Sequence, residues 1–239
     1  SLGRIGGKKP LAALEKAREK VPAAIRPAVE DGMLRCADQL LAAGKAENAA
    51  ALYRTLYPSS TAMQIRVAAW RGLALADTAG RVQLVSQAVS GQEGPIHKAA
   101  LQVLRELKDA AVVQACLSQW STLPADAQLA VLDTRLKLGG EVLPMVHAAT
   151  RSPHLGVRVA AWQALADLTD PEAIPALAKA AATGEPAERD AARDTLSRIR
   201  GAGVREALLQ NLDSSQPQQK VVLLRALGDT DEHLAPSAR

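Results

Sequence analysis

One string of residues occurs twice in this chain and constrains its fold more than any other feature. Residues 65–77 read IRVAAWRGLALAD, and residues 157–170 return as VRVAAWQALADLTD. Because an unusual string that recurs at a distance marks self-similar structural units, the chain is predicted to be a repeat protein. This prediction concerns architecture and leaves the identity of any binding partner open.

The spacing of the repeat is nearly constant. With the position of Arg66 as an anchor, equivalent positions follow after 31, 31, 30, 31 and 31 residues. The anchor residues are Arg66, His97, Gln128, Arg158, Arg189 and Lys220. Small or apolar residues stand two and three positions past each anchor, and leucine stands seven positions past it in every repeat but the third. Apolar residues three, four and seven positions past an anchor lie on one face of an α-helix, so each repeat is predicted to open with a helix that packs closely on a neighbour.

A second apolar segment follows in every period. It covers residues 82–89, 113–120, 143–149, 174–181 and 204–212, with apolar residues three and four apart. Glycine and proline turns separate the segments, and Pro144 and Pro175 fit the first turn of a helix, where a missing N–H costs little. No sustained alternation of β-branched and polar residues predicts a strand. The repeating unit is therefore predicted to be a pair of helices.

A single helix pair of this length cannot bury its own apolar face, so successive pairs must stack to exclude water. The predicted fold class is all-α, a right-handed α-solenoid of stacked helix-turn-helix repeats with a concave side. Residues 1–239 are predicted to form one array. Within it, residues 1–21 are a partial first repeat, 22–60 a longer irregular helix pair, 61–216 five regular repeats, and 217–239 a partial last repeat.

The aligned anchors, alanine pairs and leucines resemble the HEAT repeat family, and more narrowly the short HEAT-like repeats first described in phycobilisome lyases. The resemblance covers residues 61–229. It rests on Arg66, Arg158 and Arg189 with their following Ala-Ala pairs, and on the loop acids Asp77, Asp109 and Asp170. It implies the stacked fold, with the second helices along the concave side, and it implies little about function.

The two ends of the sequence suggest a fragment of a longer bacterial protein. Residues 1–7 read as the tail of a first helix, and the chain lacks an initiator methionine. The Ala- and Arg-rich, Lys-poor composition motivates the bacterial assignment. The compartment therefore stays unknown, because the native N-terminus is missing. Capping repeats are also missing, so we expect exposed apolar surface at both ends of the array.

Aromatic residues make up only 2% of the chain, against 48% apolar residues, which indicates a core of small side chains between closely spaced helices. Trp70 and Trp162 stand four positions past their anchors and are predicted to pack in or near the core. The same column contains Leu101, Leu132 and Leu224. Cys36 and Cys116 lie on apolar helical segments and are predicted to be buried free thiols.

Signals for catalysis are absent from the sequence. No GxSxG, P-loop or dinucleotide fingerprint occurs. The histidines never form HxxxH, HExxH or the His-Glu pairs with which a helical-repeat enzyme class resembling deoxyhypusine hydroxylase binds di-iron, and the adjacent Glu232-His233 is reversed. No apolar run reaches the roughly 20 residues of a membrane span. We therefore predict no catalytic residue, metal site or cofactor in this chain, although a parent protein could carry a separate catalytic or haem domain.

The predicted function is a non-catalytic protein-protein interaction scaffold that binds its partner along the second helices. The candidate binding residues are Gln87, Ser118, His147, Lys179 and Gln210. Their surroundings are nearly neutral, whereas nucleic-acid binding requires several cations along the phosphates, so a protein partner is favoured over nucleic acid. Two alternatives stay open: a lyase-like or tetrapyrrole-binding HEAT protein, and a HEAT-like DNA-binding protein of the DNA glycosylase type. The oligomeric state also stays open.

The anchors and loop acids suggest a structural role. Arg66 and Asp77 are 11 residues apart, and Arg158 and Asp170 are 12 residues apart. We therefore expect a ladder of ion pairs between repeats, together with helix-capping bonds from the acids. Partly exposed ion pairs of this kind contribute about 0.5–1 kcal/mol each.

Overall fold

A computed structural model describes residues 8–91 and 94–234. These residues contain fourteen α-helices and no strand, so the predicted all-α class is confirmed. The helices are α1 Lys8–Lys20, α2 Arg26–Ala42, α3 Ala46–Ser59, α4 Met63–Ala76, α5 Arg81–Ser90, α6 Pro95–Leu107, α7 Ala110–Leu117, α8 Ala125–Leu138, α9 Leu143–Ala149, α10 Leu155–Leu168, α11 Ile174–Thr183, α12 Pro186–Arg198, α13 Val204–Ser214 and α14 Pro217–Leu234. The helix tail predicted over residues 1–7 lies outside the described residues.

The helices follow the predicted period. The pairs α4–α5, α6–α7, α8–α9, α10–α11 and α12–α13 form the regular repeats, preceded by the longer pair α2–α3. Pro144 and Pro175 lie in the first turns of α9 and α11, as predicted. In the second regular repeat the second helix is shorter than predicted, because α7 ends at Leu117 and Trp120 begins a separate 3-10 turn.

Contacts group the chain into two compact units, residues 1–134 and 135–239. In the first unit, the first helices α2, α4 and α6 pack in succession, and the second helices α5 and α7 pack on each other. In the second unit, α10, α12 and α14 form one layer, and α11 and α13 form the other. Each unit thus stacks helix pairs in two layers, as an α-solenoid does. The handedness of a superhelix stays a prediction.

The core consists of small and aliphatic side chains, with Trp70 and Trp162 among its largest members. Trp70 and Trp162 are 1% and 5% exposed, so their predicted burial is confirmed. Leu224 of the same column is instead 55% exposed. Cys36 and Cys116 are buried and free, as predicted. Burial raises the pKa of Cys116 to about 11, which keeps this thiol protonated at neutral pH.

A buried carboxylate ties the irregular pair α2–α3 to α1. Glu30 of α2 is fully buried, and Arg18 of α1 donates to its Oε1 at 2.9 Å. The hydroxyl of Ser60, just after α3, donates to Glu30 Oε2 at 2.6 Å. Both carboxylate oxygens therefore have partners, which a buried charge requires. Among the described residues, no helix is both long and apolar enough to cross a bilayer.

Candidate functional site

The candidate binding residues all lie on second helices or at their ends. Gln87 lies on α5 and Ser118 directly follows α7, both in the first unit. In the second unit, His147 lies on α9, Lys179 on α11 and Gln210 on α13. Gln87, Ser118, Lys179 and Gln210 are exposed, whereas His147 is half-buried. Four of the five side chains are therefore accessible to a partner.

The four exposed candidates share a column of the repeat with Ala148, which is exposed as well. We call Gln87, Ser118, Ala148, Lys179 and Gln210 the exposed column. The preceding column differs, since its members in the first four regular repeats are buried or half-buried. These members are Ser86, Leu117, His147 and Ala178. Each regular repeat thus presents one accessible side chain at the same helical position, and only Lys179 among them is charged.

His147 belongs to an inter-repeat pair. Its Nε2 lies 2.7 Å from Oδ2 of Asp170, which is 5% exposed. The other carboxylate oxygen of Asp170 accepts from the backbone N–H of Glu172 at 3.1 Å and caps the turn that precedes α11. His147 is therefore held against the following repeat, and only part of its ring reaches solvent.

The anchor residue Arg158 donates hydrogen bonds both to the turn before its own helix and to acids of the following repeat. On one side, its Nη1 donates to the carbonyls of Ser152 and Pro153 at 3.1 and 3.2 Å, in the turn that precedes α10. On the other side, its Nε donates to Glu188 at 3.2 Å and its Nη2 to Glu185 at 2.6 Å. Arg158 therefore joins three successive segments of the second unit.

His97 and Gln128, which are anchor residues of the first unit, also bind neighbouring segments. The Nδ1 of His97 lies 3.1 Å from the carbonyl of Ala88 on the preceding helix, and its Nε2 lies 3.0 Å from Oδ2 of Asp126 on the following first helix. Both neighbours are acceptors, and His97 is 3% exposed. The amide of Gln128 donates to the carbonyl of Trp120 at 2.9 Å. These three anchors thus bind the preceding segment, and Arg158 and His97 also bind an acid of the next repeat.

The predicted ladder of ion pairs is present, but the predicted partners are wrong. Asp77 accepts from Arg54 at 2.7 Å and from the backbone N–H of Gly80 at 3.0 Å, not from Arg66. Asp170 pairs with His147 rather than with Arg158. Residues 11 or 12 apart along one helix are about 17 Å apart at 1.5 Å per residue, which exceeds the reach of an ion pair. Each acid instead pairs with a residue of another helix, Asp77 with Arg54 of α3 and Asp170 with His147 of α9.

Glu188 accepts hydrogen bonds from two side chains of the preceding repeat, Arg158 and Trp162. Its Oε1 accepts from the indole Nε1 of Trp162 at 3.1 Å as well as from Arg158. Burial raises the pKa of Glu188, but the bonds from Trp162 and Arg158 together outweigh burial and hold the pKa below its ordinary value. Glu188 is thus a charged side chain that joins two successive repeats.

Each unit also contains a surface cleft. In the first unit, a cleft of about 420 Å³ lies among α2, α3 and α4, with Asp38, Tyr53 and Arg71 in its wall. In the second unit, a cleft of about 280 Å³ lies between α12 and α14, with Arg193 and Arg225 in its wall. Neither cleft contains a candidate binding residue. Within residues 8–91 and 94–234, no three His, Cys, Asp or Glu side chains are grouped so that they could hold a metal ion.

Comparisons with known proteins give a family match and a similarity to a solved structure. Residues 121–197 and 143–228 match the family of HEAT repeats. Among solved structures, human deoxyhypusine hydroxylase in complex with glycerol is similar, with 16% sequence identity and a TM-score of 0.33; the match covers 97% of this chain and 88% of that chain. No curated protein matches the sequence. The family match supports a HEAT repeat architecture for residues 121–228.

Proposed function

We propose that the chain is a non-catalytic protein-interaction scaffold of HEAT-like repeats, and that its second helices carry the contact surface. The observation that carries this proposal is the exposed column, because each regular repeat presents one accessible side chain at the same helical position. A partner that follows the second helices would meet one such side chain per repeat. The short period further supports the repeat subtype first described in phycobilisome lyases, and the Ala- and Arg-rich, Lys-poor composition supports a bacterial parent protein, both as parts of the same proposal.

The chemistry of the exposed column favours a protein partner. Gln87 and Gln210 each offer an amide with two donors and an acceptor, and Ser118 offers a hydroxyl. Such groups complement the peptide groups and polar side chains of another protein. Phosphate backbones need several cations in succession, and the column contains only Lys179. A neutral polar surface of this kind therefore suits a protein better than a nucleic acid.

The framework leaves these side chains available for binding. Arg158, His97 and His147 bind neighbouring segments of their own unit, so ionisable groups of the second, third and fourth regular repeats hold the repeats together. The exposed column makes no comparable bond to a neighbouring repeat at Gln87, Lys179 or Gln210. Within each unit, a backbone held in place by such bonds loses less conformational entropy when it binds a partner.

A position-resolved cross-linking experiment tests the proposal. A photoreactive amino acid is placed singly at Gln87, Ser118, Lys179 or Gln210, and at Gln102 and Asp190 as exposed controls on first helices. We expect one partner protein to be cross-linked from the second-helix positions and not from the controls. Equal labelling from both sets of positions would place the contact elsewhere. The purified partner is then titrated, and Gln87→Arg with Gln210→Arg is expected to weaken binding at least tenfold.

The same purified chain separates the two alternative functions from the scaffold. A tetrapyrrole-binding protein would shift the absorbance of added bilin or haem in a saturable way. A DNA-binding protein would be retained on immobilised DNA at low salt and released as salt is raised. Either result would replace the scaffold proposal, and the flanking sequence of the parent gene would then show which domains accompany the repeats.

A further inference from the structure

His97 is a buried histidine whose two ring nitrogens both face hydrogen-bond acceptors. The residue is only 3% exposed. Its Nδ1 lies 3.1 Å from the carbonyl oxygen of Ala88, and its Nε2 lies 3.0 Å from Oδ2 of Asp126. A neutral imidazole carries one N–H donor, whereas the doubly protonated ring carries two. Both contacts are therefore hydrogen bonds only when each ring nitrogen carries a proton.

The two acceptors belong to different helices, and each favours a positively charged ring. Ala88 lies in the last turn of α5, where backbone carbonyls lack a donor within the helix and the helix dipole attracts a cation. Asp126 lies in the first turn of α8, and its Oδ1 accepts from the backbone N–H of Ala127 at 2.9 Å, which leaves Oδ2 for the ring. Without a proton on Nδ1, the ring would turn a lone pair towards the carbonyl oxygen of Ala88. The Nδ1 proton thus determines whether the end of α5 is bonded to α6.

Other anchor residues make contacts of the same kind with side chains that do not titrate near neutral pH. Arg158 is always charged, and it binds carbonyls of the preceding turn together with acids of the next repeat. Gln128 is never charged, and its amide donates to the carbonyl of Trp120. Histidine is the side chain that ordinarily changes its charge between about pH 5 and pH 8. The second regular repeat therefore has a titratable residue where the fourth has a permanent cation.

Asp126 is the acid in contact with the ring, whereas the charged residues nearest to the ring by register are cations. Arg66 stands at the equivalent position of α4, and Lys98 follows His97 on α6. Burial and these two cations oppose a charge on the ring, so its second proton depends on the two acceptors. Helix α7 has no charged residue. The other charged residues of α4, α5, α6 and α8 bind elsewhere or lie at least seven residues along their helix from the contact, and they are Arg71, Arg81, Arg105, Glu106, Asp133, Arg135 and Lys137.

We propose that His97 forms a pH-sensitive contact between the repeats of the first unit. With both nitrogens protonated, the ring joins α5 to α8 across α6. When the ring loses one proton, the remaining N–H stays on Nε2, because the carboxylate of Asp126 is a stronger acceptor than a carbonyl. The hydrogen bond to Ala88 is then lost. Because protonation strengthens the folded contact, the stability that this contact supplies falls as pH rises.

Thermal unfolding of the full chain from about pH 5.5 to about pH 8.5 tests this proposal. His97→Gln and His97→Arg are the matched variants, since both residue types occur at anchor positions and neither titrates in this range. Relative to these variants, the melting temperature of the natural chain is expected to fall by about 2–4 °C across the range, as the loss of one buried hydrogen bond does in a chain of this length. Each comparison cancels the titration of the other histidines.

His154→Gln is the control for loss of a histidine elsewhere. His154 is half-buried, and its backbone N–H rather than its ring donates to the hydroxyl of Ser152. We expect His154→Gln to keep the pH dependence of the natural chain. If His97→Arg fails to fold, His97→Gln remains the reference. Equal pH dependence of the natural chain and His97→Gln overturns the proposal.

The ¹⁵N NMR signals of the His97 ring give a second measurement, which needs no variant at this position. We expect a proton on both ring nitrogens at about pH 5.5 and on Nε2 alone at about pH 8.5. A ring with a single proton at the lower pH, or with two protons at the higher pH, overturns the proposal. A neutral ring that carries its proton on Nδ1 at the higher pH overturns the predicted loss of the Ala88 bond.

Discussion

The ring of Tyr53 packs directly against the backbone of Gly72, in the space that a Cβ at position 72 would occupy. This contact joins α3 of the irregular pair to α4 of the first regular repeat. The ring is fully buried, and its hydroxyl donates to Asp38 at 2.6 Å. The later first helices have larger residues at the equivalent position, namely Val103, Thr134, Ala164, Thr195 and Ala226. Glycine at position 72 is therefore matched to the tyrosine that precedes the regular array.

Gly72→Ala is expected to destabilise the chain. The added methyl group would overlap a buried aromatic ring, and overpacking of this kind costs about 1–3 kcal/mol. The free energy of unfolding from urea titration measures the effect. Gly156→Ala is the control, because it adds a methyl group to α10 where no atom lies within 4 Å. That control is expected to raise stability by up to about 1 kcal/mol, and equal losses in both variants would contradict the Tyr53 contact.

Arg158→Ala is expected to lower the free energy of unfolding by about 1–3 kcal/mol, because it leaves Glu188 with one donor fewer in a largely buried position. The side chains of Arg158 and Glu188 are only 16% and 12% exposed. Arg198→Ala removes an exposed pair with Asp194 and is expected to change stability by less than about 0.5 kcal/mol. Thermal unfolding of both variants checks the difference. Unchanged stability of Arg158→Ala with lost partner binding would instead make Arg158 a binding residue.

Glu188 predicts a specific dependence of stability on pH. Its pKa in the folded chain lies below the ordinary value of 4.5, so the folded state binds fewer protons than the unfolded state in that range. The stabilisation is therefore complete above about pH 4.5 and is lost as pH falls through the folded pKa. We expect the stability difference between the natural chain and Glu188→Gln to shrink as pH falls from 7 through this range. A difference that stays constant with pH would contradict the assignment.

The helical framework could be predicted from the sequence because small and apolar side chains recur at a nearly constant spacing. The apolar spacing gave the helix pairs and the burial of Trp70 and Trp162, since both depend on periodicity along a single helix. Pro144 and Pro175 marked the starts of second helices for an equally local reason. The exposure of Gln87 and Lys179 followed from the same register.

Features that depend on contacts between separate segments could not be predicted in the same way. The partner of Arg158 is 30 residues away on a parallel helix, and the sequence offers several acids at comparable distances. Tyr53 lies in the irregular pair and Gly72 in the first regular repeat, so the repeat period does not predict that these two residues face each other. An apolar column does not show whether another helix covers it, since Trp162 is buried whereas Leu224 of the same column is 55% exposed.

The anchor Arg189 can test whether an anchor residue is stabilised by an acid 30 residues later in the next repeat. Arg158 and Glu188 are 30 residues apart, and the residue 30 positions after Arg189 is Gln219, in the first turn of α14. The Nε of Arg189 is buried without a hydrogen-bond partner, and α12 packs against α14. Gln219→Glu is therefore expected to supply the missing acid and to raise the free energy of unfolding by about 0.5–1 kcal/mol.

Gln218→Glu is the control that distinguishes an ion pair between Arg189 and Glu at position 219 from a general effect of added charge. It adds the same carboxylate to the same first turn of α14, where an acid gains from the helix dipole, but at an exposed position that is not equivalent to Glu188. We expect a smaller gain from Gln218→Glu. In the background of Arg189→Gln, the advantage of Glu at position 219 over Glu at position 218 is expected to vanish, since only the pair with Arg189 distinguishes the two sites. Equal gains in the natural background would mean that the anchor rule does not extend to the last repeat.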